Sequence, residues 1–302
     1  MISSIVSVNR FDSLLQSVPT VFAIVLCLVL INTLRNRNAF NLALYAYVLG
    51  AALAALITLA YYLKIYFLPF AGLQNQLFNT TGSAIQQLIY LLPIFVLTVI
   101  SVVRKFRAGG LKLSKDSLSD YGFFIEVVAL AGSVVGLLVI AHQVIFLADK
   151  QILLPYAYGL QTAFASISQD AGRFLFALLF GSGYGTFLTD FTRFKLASFN
   201  LEQNIWNLSF SFSSSYFLEL IATTGVIGAL SYLSIIFSVL RTRATKNPLF
   251  VALFISFVLS ILLPFSFVSV AGLMILLGLF VTQLNVNQSK NVYEVSLTLV
   301  TT

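Results

Sequence analysis

The two residue types from which most metal centres are built are almost missing from this 302-residue chain, which has one cysteine, Cys27, and one histidine, His142. A lone cysteine in an apolar run excludes an intrachain disulfide and a thiol–metal cluster. A zinc centre of the usual His/Cys kind is excluded with them. Charge is equally scarce. Charged residues make up 9% of the sequence, against roughly 25% in soluble domains. A chain that is also 59% hydrophobic, with a mean hydropathy of +0.97, cannot cover its own surface in water. The composition therefore dictates a polytopic membrane protein. Residues 1–17 hold one basic residue, Arg10, and two short apolar stretches, so no cleavable signal peptide is expected there.

Long apolar runs are abundant. A membrane span needs about 20 mostly apolar residues. Seven stretches meet this: 18–34, 41–63, 84–103, 121–146, 215–240, 247–264 and 266–284, the last two short and joined at Pro264. The net charge of +7 would suit nucleic acid if it were clustered, but most basic residues flank the apolar runs, where positive charge marks the cytoplasmic face. Arg35 and Arg37 follow the first run, and Arg104, Lys105, Arg107, Lys112 and Lys115 the third. Arg241, Arg243 and Lys246 follow the fifth, and Lys290 the seventh. Placing these in the cytoplasm leaves Arg10, Lys64, Lys150, Arg173, Arg193 and Lys195 outside. The alternation predicts an external N-terminus and a cytoplasmic C-terminus. Such an N-terminus without a signal peptide raises the expectation of a missing N-terminal portion.

The expected fold is all-α: a polytopic transmembrane helix bundle of about seven spans, forming one domain over 1–302. A long external segment at 148–214 contains an amphipathic helix, and residues 285–302 form a short polar tail. In 160–178, Leu160, Phe164, Ile167, Ala171, Phe174 and Leu178 recur at helical spacing, which predicts a helix at the membrane surface or capping the bundle. Asp170 and Arg173 stand three apart and read as an ordinary surface pair.

Three further stretches carry chemistry. "LLFGSGYGTFLTDFTRFK" (178–195) has Gly181, Gly183 and Gly185, without the strand or the Gly-Lys-Ser/Thr of a nucleotide P-loop. Glycines so spaced allow a tight turn, either plain or with amides aimed at an anion. "DFTRFKLASFNLEQNIWNLSFSFSSSYF" (190–217) interleaves aromatics with Asp190, Arg193, Lys195, Glu202, Asn204 and Trp206. That mixture suits a site for sugars and phosphate, and equally an interfacial belt of aromatics with basic anchors. "SSSYFLELIATTGVIGALSYL" (213–233) places Glu219 inside a span beside the small residues Ala222, Gly225 and Gly228. An intramembrane carboxyl faces the bundle interior, serving either chemistry or helix packing.

In order, "FGSGYGTF" (180–187), "FN…WNLSF" (199–210) and "SSSYFLELIATTGVIGALSYL" resemble the O-antigen ligase/polymerase family. The loop "LFNTTGS" (77–83) is similar to an Asn-x-x-Gly-type external loop of that family. The family's late helix begins with a pattern like His-Asn-x-x-Leu-x-x-x-x-Glu-x-Gly-x-x-Gly. Ser214, Ser215, Leu218, Thr223, Gly225 and Gly228 stand at those places here, so the histidine position holds serine and the acidic position threonine.

The resemblance implies a metal-independent glycan transfer, without cofactor, on the external face of a bacterial cytoplasmic membrane. The donor would be a polyprenyl-diphosphate-linked glycan, and the acceptor a glycolipid or glycan. Arg173, Arg193 and Lys195 would bind donor phosphates, with Asn204, Trp206 and Ser215 lining the substrate site. A serine is no general base near neutral pH without help. Glu219, with Ser214 at the family's address, leads the catalytic candidates. Asp190 and Glu202 are others, and His142, near the external end of the fourth run, is a further one. A transporter or flippase of lipid-linked saccharides and an inactive relative acting in glycan assembly are the competing readings.

Overall fold

In the computed structural model the described residues are 2–70, 73–107, 117–146, 152–170, 172–202 and 205–288; Lys112, Lys115, Lys150, Asn204, Lys290 and most of the polar tail lie outside them. The described residues form helices and no strand. The order is α1 (Ile2–Ile5), α2 (Arg10–Thr33), α3 (Arg37–Tyr62), α4 (Ala84–Arg107), α5 (Ser117–Phe146), α6 (Tyr156–Ser168), α7 (Phe174–Phe180), α8 (Phe187–Phe194), α9 (Tyr216–Arg241), α10 (Pro248–Leu262) and α11 (Phe267–Gln288). Six of these, α2, α3, α4, α5, α9 and α11, are long and apolar enough to cross a membrane. The chain is an all-α, multi-pass membrane protein. The stretch 247–264 becomes the 15-residue α10, about 22 Å long at about 1.5 Å per residue, short of the roughly 30 Å hydrocarbon layer.

Two expectations change. The first span begins at Arg10 rather than at 18. Ser3, Ser4, Ser7, Ser13 and Ser17 are buried, while Ile2, Ile5, Phe11 and Leu15 are exposed. Polarity is thus inverted relative to a soluble amphipathic helix, and averaged hydropathy hides the start. The second change is in 160–178. The single amphipathic helix is two helices, α6 and α7, separated at Gln169–Arg173. Asp170 and Gly172, both weak helix formers, stand in that gap. In α6 the small residues Gly159, Thr162, Ala163 and Ser166 are buried with Ile167, whereas Leu160 and Phe164 are exposed. Small residues inward and large apolar residues outward is the packing of a membrane helix.

The chain divides into two compact units. One comprises 23–151, 244–256 and 268–302. Here α3 and α5 meet along small residues. A Cβ on Gly132 would lie 2.9 Å from Ala52 Cβ, and one on Gly136 2.7 Å from Ala55 Cβ. Buried amides are satisfied between helices: Thr58 Oγ1 donates to Gln87 Oε1 at 2.8 Å and Ser269 Oγ to Gln86 Oε1 at 2.7 Å. Glu126 meets Lys105 at 2.9 Å. In the 77–83 loop the Gly82 amide donates to the Asn79 carbonyl at 3.1 Å, and Gly82 has φ +100°. His142 lies in this unit, hydrogen-bonded to Tyr62 at 3.1 Å and packed on Phe146.

The other unit comprises 1–22, 152–243 and 257–267. Its apolar centre is built by the polar-looking segment after α7. Phe191, Phe199 and Phe210 pack edge to face, with Phe191 centroids 5.2 and 5.5 Å from the other two, among Leu154, Ala163, Phe187 and Leu218. These rings are committed to the core.

Candidate functional site

The central feature of the second unit is a break in a long apolar helix. Gly225 in α9 has φ +67° and ψ −167°, outside helical geometry. The break frees carbonyls of the preceding turn, which must be paired. The glycine turn after α7 supplies the donors. The Ser182 amide donates to the Ala222 carbonyl at 3.1 Å and the Gly183 amide to the Thr223 carbonyl at 3.0 Å. Ser3 Oγ donates to the same Thr223 carbonyl at 2.6 Å. Backbone meets backbone here. A Cβ on Gly225 would lie 2.6 Å from the Gly181 nitrogen and from the Leu179 carbonyl oxygen. The Ser182 and Gly183 amides are therefore spent on α9 rather than aimed at an anion.

The N-terminal serines complete the framework. Ser7 Oγ donates to the Ser182 carbonyl at 2.8 Å and Ser13 Oγ to the Tyr184 carbonyl at 2.9 Å. These contacts were missed in the sequence. The available signal was serine at 3, 7, 13 and 17, recurring at near-helical spacing opposite the apolar residues.

At the start of α9, Ser215 is the N-cap, its hydroxyl accepting from the Leu218 amide at 3.3 Å. This is the role serine fills best at a helix start. Glu219, one turn on, is buried, with the Ser213 amide donating to its carboxylate. Glu219 Oε2 has no hydrogen-bond partner, and neither do the buried hydroxyls of Ser213 and Ser214. Gly159 of α6 lies against Ser214, leaving no room for a Cβ. Tyr184 and Tyr216 lie near the same carboxyl, and Tyr184 bonds Thr20 at 2.7 Å. The result is a buried cluster of one carboxyl and several hydroxyls with unused hydrogen-bonding capacity.

Asp190 of α8 is fully buried beside the turn. Its Oδ2 is hydrogen-bonded to Ser182 Oγ, and its Oδ1 has no partner. Burial is the main influence that raises this carboxyl to about 7; the Ser182 hydrogen bond and Arg193 oppose it, and Asp170 adds to it.

The three cations expected to bind phosphate sit on separate partners. Arg173 is hydrogen-bonded to the Val6 carbonyl. Asp170 pairs with Arg193 at 3.6 Å rather than with Arg173, because α6 ends at Ser168 and the three-residue spacing no longer lies on a helix. Lys195 donates to the Trp206 carbonyl at 2.8 Å and lies 4.5 Å from the Phe199 ring centroid. Trp206 is 54% exposed. Glu202 accepts from the Tyr158 hydroxyl at 3.0 Å, which raises the Tyr158 pKa. Asn204 lies outside the described residues. Ser214, Ser215 and Glu219 are thus brought together, and Asp190 joins them through the turn that clamps α9. A groove of about 340 Å³ runs between α6 and 194–196, lined by Leu160, Gln161, Phe164, Gln169, Phe194 and Leu196. Among the described residues no cluster of three or more His, Cys, Asp or Glu could hold a metal ion. Comparison with known protein families, curated proteins and solved structures yields no match to this chain.

Proposed function

We propose that the protein is an O-antigen-ligase-like glycosyltransferase of the bacterial cytoplasmic membrane, acting on its external face. It moves a glycan from a polyprenyl-diphosphate carrier to a glycolipid or glycan acceptor. The observation that supports this most is the buried polar cluster at the start of α9, where Glu219 Oε2 and the Ser213 and Ser214 hydroxyls have no partners. It stands at the position where the resembling family keeps its catalytic histidine. A carboxyl placed within reach of an acceptor hydroxyl can take its proton.

In this reading the acceptor hydroxyl attacks the anomeric carbon of the donor sugar, and Glu219 takes the proton. The bond from that carbon to the diphosphate oxygen breaks, and polyprenyl diphosphate leaves with the electron pair. Arg193 and Lys195 receive the leaving group. The Arg193–Asp170 pair is long at 3.6 Å and open to solvent on the Arg193 side, so a diphosphate can replace Asp170. Phe194, Phe164 and the amides of Gln161 and Gln169 offer the groove's ring faces and hydrogen bonds to a saccharide.

One observation favours a second reading, movement of a lipid-linked saccharide across the membrane: α9 is broken at Gly225, and discontinuous helices recur at transporter sites. Purified protein incubated with a polyprenyl-diphosphate oligosaccharide and candidate acceptors separates the two. Product in the wild type and its loss in Arg193→Ala support the transferase. Transbilayer movement of the donor in proteoliposomes without any product would overturn it in favour of the second reading.

A further inference from the structure

We propose that Asp190 is a positioning residue that carries a proton in the folded protein and, as a neutral acid, clasps the glycine turn onto the break in α9. Ser182 Oγ is crowded by three oxygens: Asp190 Oδ2, Thr186 Oγ1 at 3.0 Å and the Ala222 carbonyl at 3.3 Å. Ser182 has one proton to give. The Thr186 proton is already placed on the Gly183 carbonyl at 2.7 Å. With Asp190 ionised, the Ser182 proton is drawn to the carboxylate and its link to α9 is lost. The charge would also rest on a fully buried group whose Oδ1 has no partner, a costly arrangement.

With Asp190 protonated, each proton has an acceptor. Asp190 donates to Ser182 Oγ, Ser182 donates to the Ala222 carbonyl, and Thr186 donates to Gly183. The side-chain link then runs in parallel with the Ser182 and Gly183 amide bonds to α9. The charged groups acting on the carboxyl are Arg193, on α8 itself, and Asp170, which Arg193 also holds. Helix α6 contributes no charged side chain, and α9 presents the Ala222 carbonyl, its own Glu219 facing Tyr184 and Tyr216 instead. The raised pKa of about 7 agrees with a proton held at moderately acidic pH.

The clasp sits on the turn that fixes the first half of α9, and therefore the Ser214–Glu219 cluster. Its consequence for activity rests on the glycan-transfer reading; the clasp itself does not, and is tested by stability. The sign follows from linkage. The folded pKa lies above the ordinary 3.8, so the folded chain holds the extra proton between the two values. This contribution is complete below about pH 4 and is lost as pH rises to about 7.

Thermal unfolding of the full chain in detergent is measured from pH 4.5 to 7.5 for the wild type, Asp190→Asn and Asp190→Ala, with sodium and potassium varied at each pH. Asparagine is neutral at every pH, and its amide can donate to Ser182. The wild-type Tm should fall by several degrees across the window relative to Asp190→Asn. Asp190→Ala should lie low throughout, if it folds. Equal slopes in the wild type and Asp190→Asn would overturn the proposal. So would a wild-type Tm that follows the alkali cation instead of pH, which would indicate a bound cation in place of the proton.

Discussion

Replacing Gly225 with alanine probes the break in α9 at its most constrained point. The backbone there, φ +67° and ψ −167°, is essentially reserved for glycine, and holding another residue in such a region costs about 1–3 kcal/mol. The new methyl group would also meet backbone. Its nearest atoms would be the Gly181 nitrogen and the Leu179 carbonyl carbon and oxygen, each at 2.6 Å. These are backbone atoms tied into α7 and the glycine turn, so they cannot rotate aside. Overpacking of this kind adds about 1–3 kcal/mol. Together the two effects give about 2–6 kcal/mol, a large share of the roughly 5–15 kcal/mol that holds a folded domain. Trp206, the sole tryptophan, belongs to the same unit and serves as a fluorescence reporter during thermal unfolding in detergent. Gly172→Ala is the control, because a Cβ there meets nothing within 4 Å and its φ is not positive. Gly225→Ala should unfold well below the wild type, and Gly172→Ala close to it. Equal melting of the two variants would refute the broken-helix geometry, since a continuous α9 would gain from alanine.

Two predictions concern the other unit. Gly136→Ala should destabilise by about 1–3 kcal/mol through overpacking of α3 on α5, whereas Gly50→Ala, whose Cβ meets nothing within 4 Å, should be neutral or stabilising in the same chemical-denaturation series. Lys105→Ala should cost about 1–3 kcal/mol by leaving the buried Glu126 carboxylate without its partner. Glu126→Gln in that background should recover part of the loss, as read by melting of the double variant.

The apolar runs were legible because lipid imposes length and composition on each span. Six of the seven became long helices with ends near those expected. The start of α2 was hidden because Ser13 and Ser17 face inward while Phe11 and Leu15 face out, which lowers the hydropathy of a segment that is nonetheless helical. The break between α6 and α7 lies at Asp170 and Gly172, a weaker signal than the apolar spacing of Leu160, Phe164 and Phe174 around it. The glycine turn was recognised as a turn. Its partner was not, since the pairing of Ser182 and Gly183 with Ala222 and Thr223 joins backbone atoms some 40 residues apart, and backbone contacts leave little trace in side-chain patterns. The segment 190–217 reads equally as a sugar site and as an interface because the same phenylalanines serve either. Their mutual packing around Phe199 assigns three of them to the core and leaves Trp206 exposed.

The role of Glu219 as the base that takes the acceptor proton is decided by single-turnover transfer from a bound polyprenyl-diphosphate oligosaccharide in Glu219→Gln. Glutamine keeps the size of the side chain but is not a base. Donor binding and melting should stay close to wild type, with transfer slowed by about 10²–10⁴-fold, the usual contribution of a positioned base. Transfer at the wild-type rate in Glu219→Gln would contradict that role.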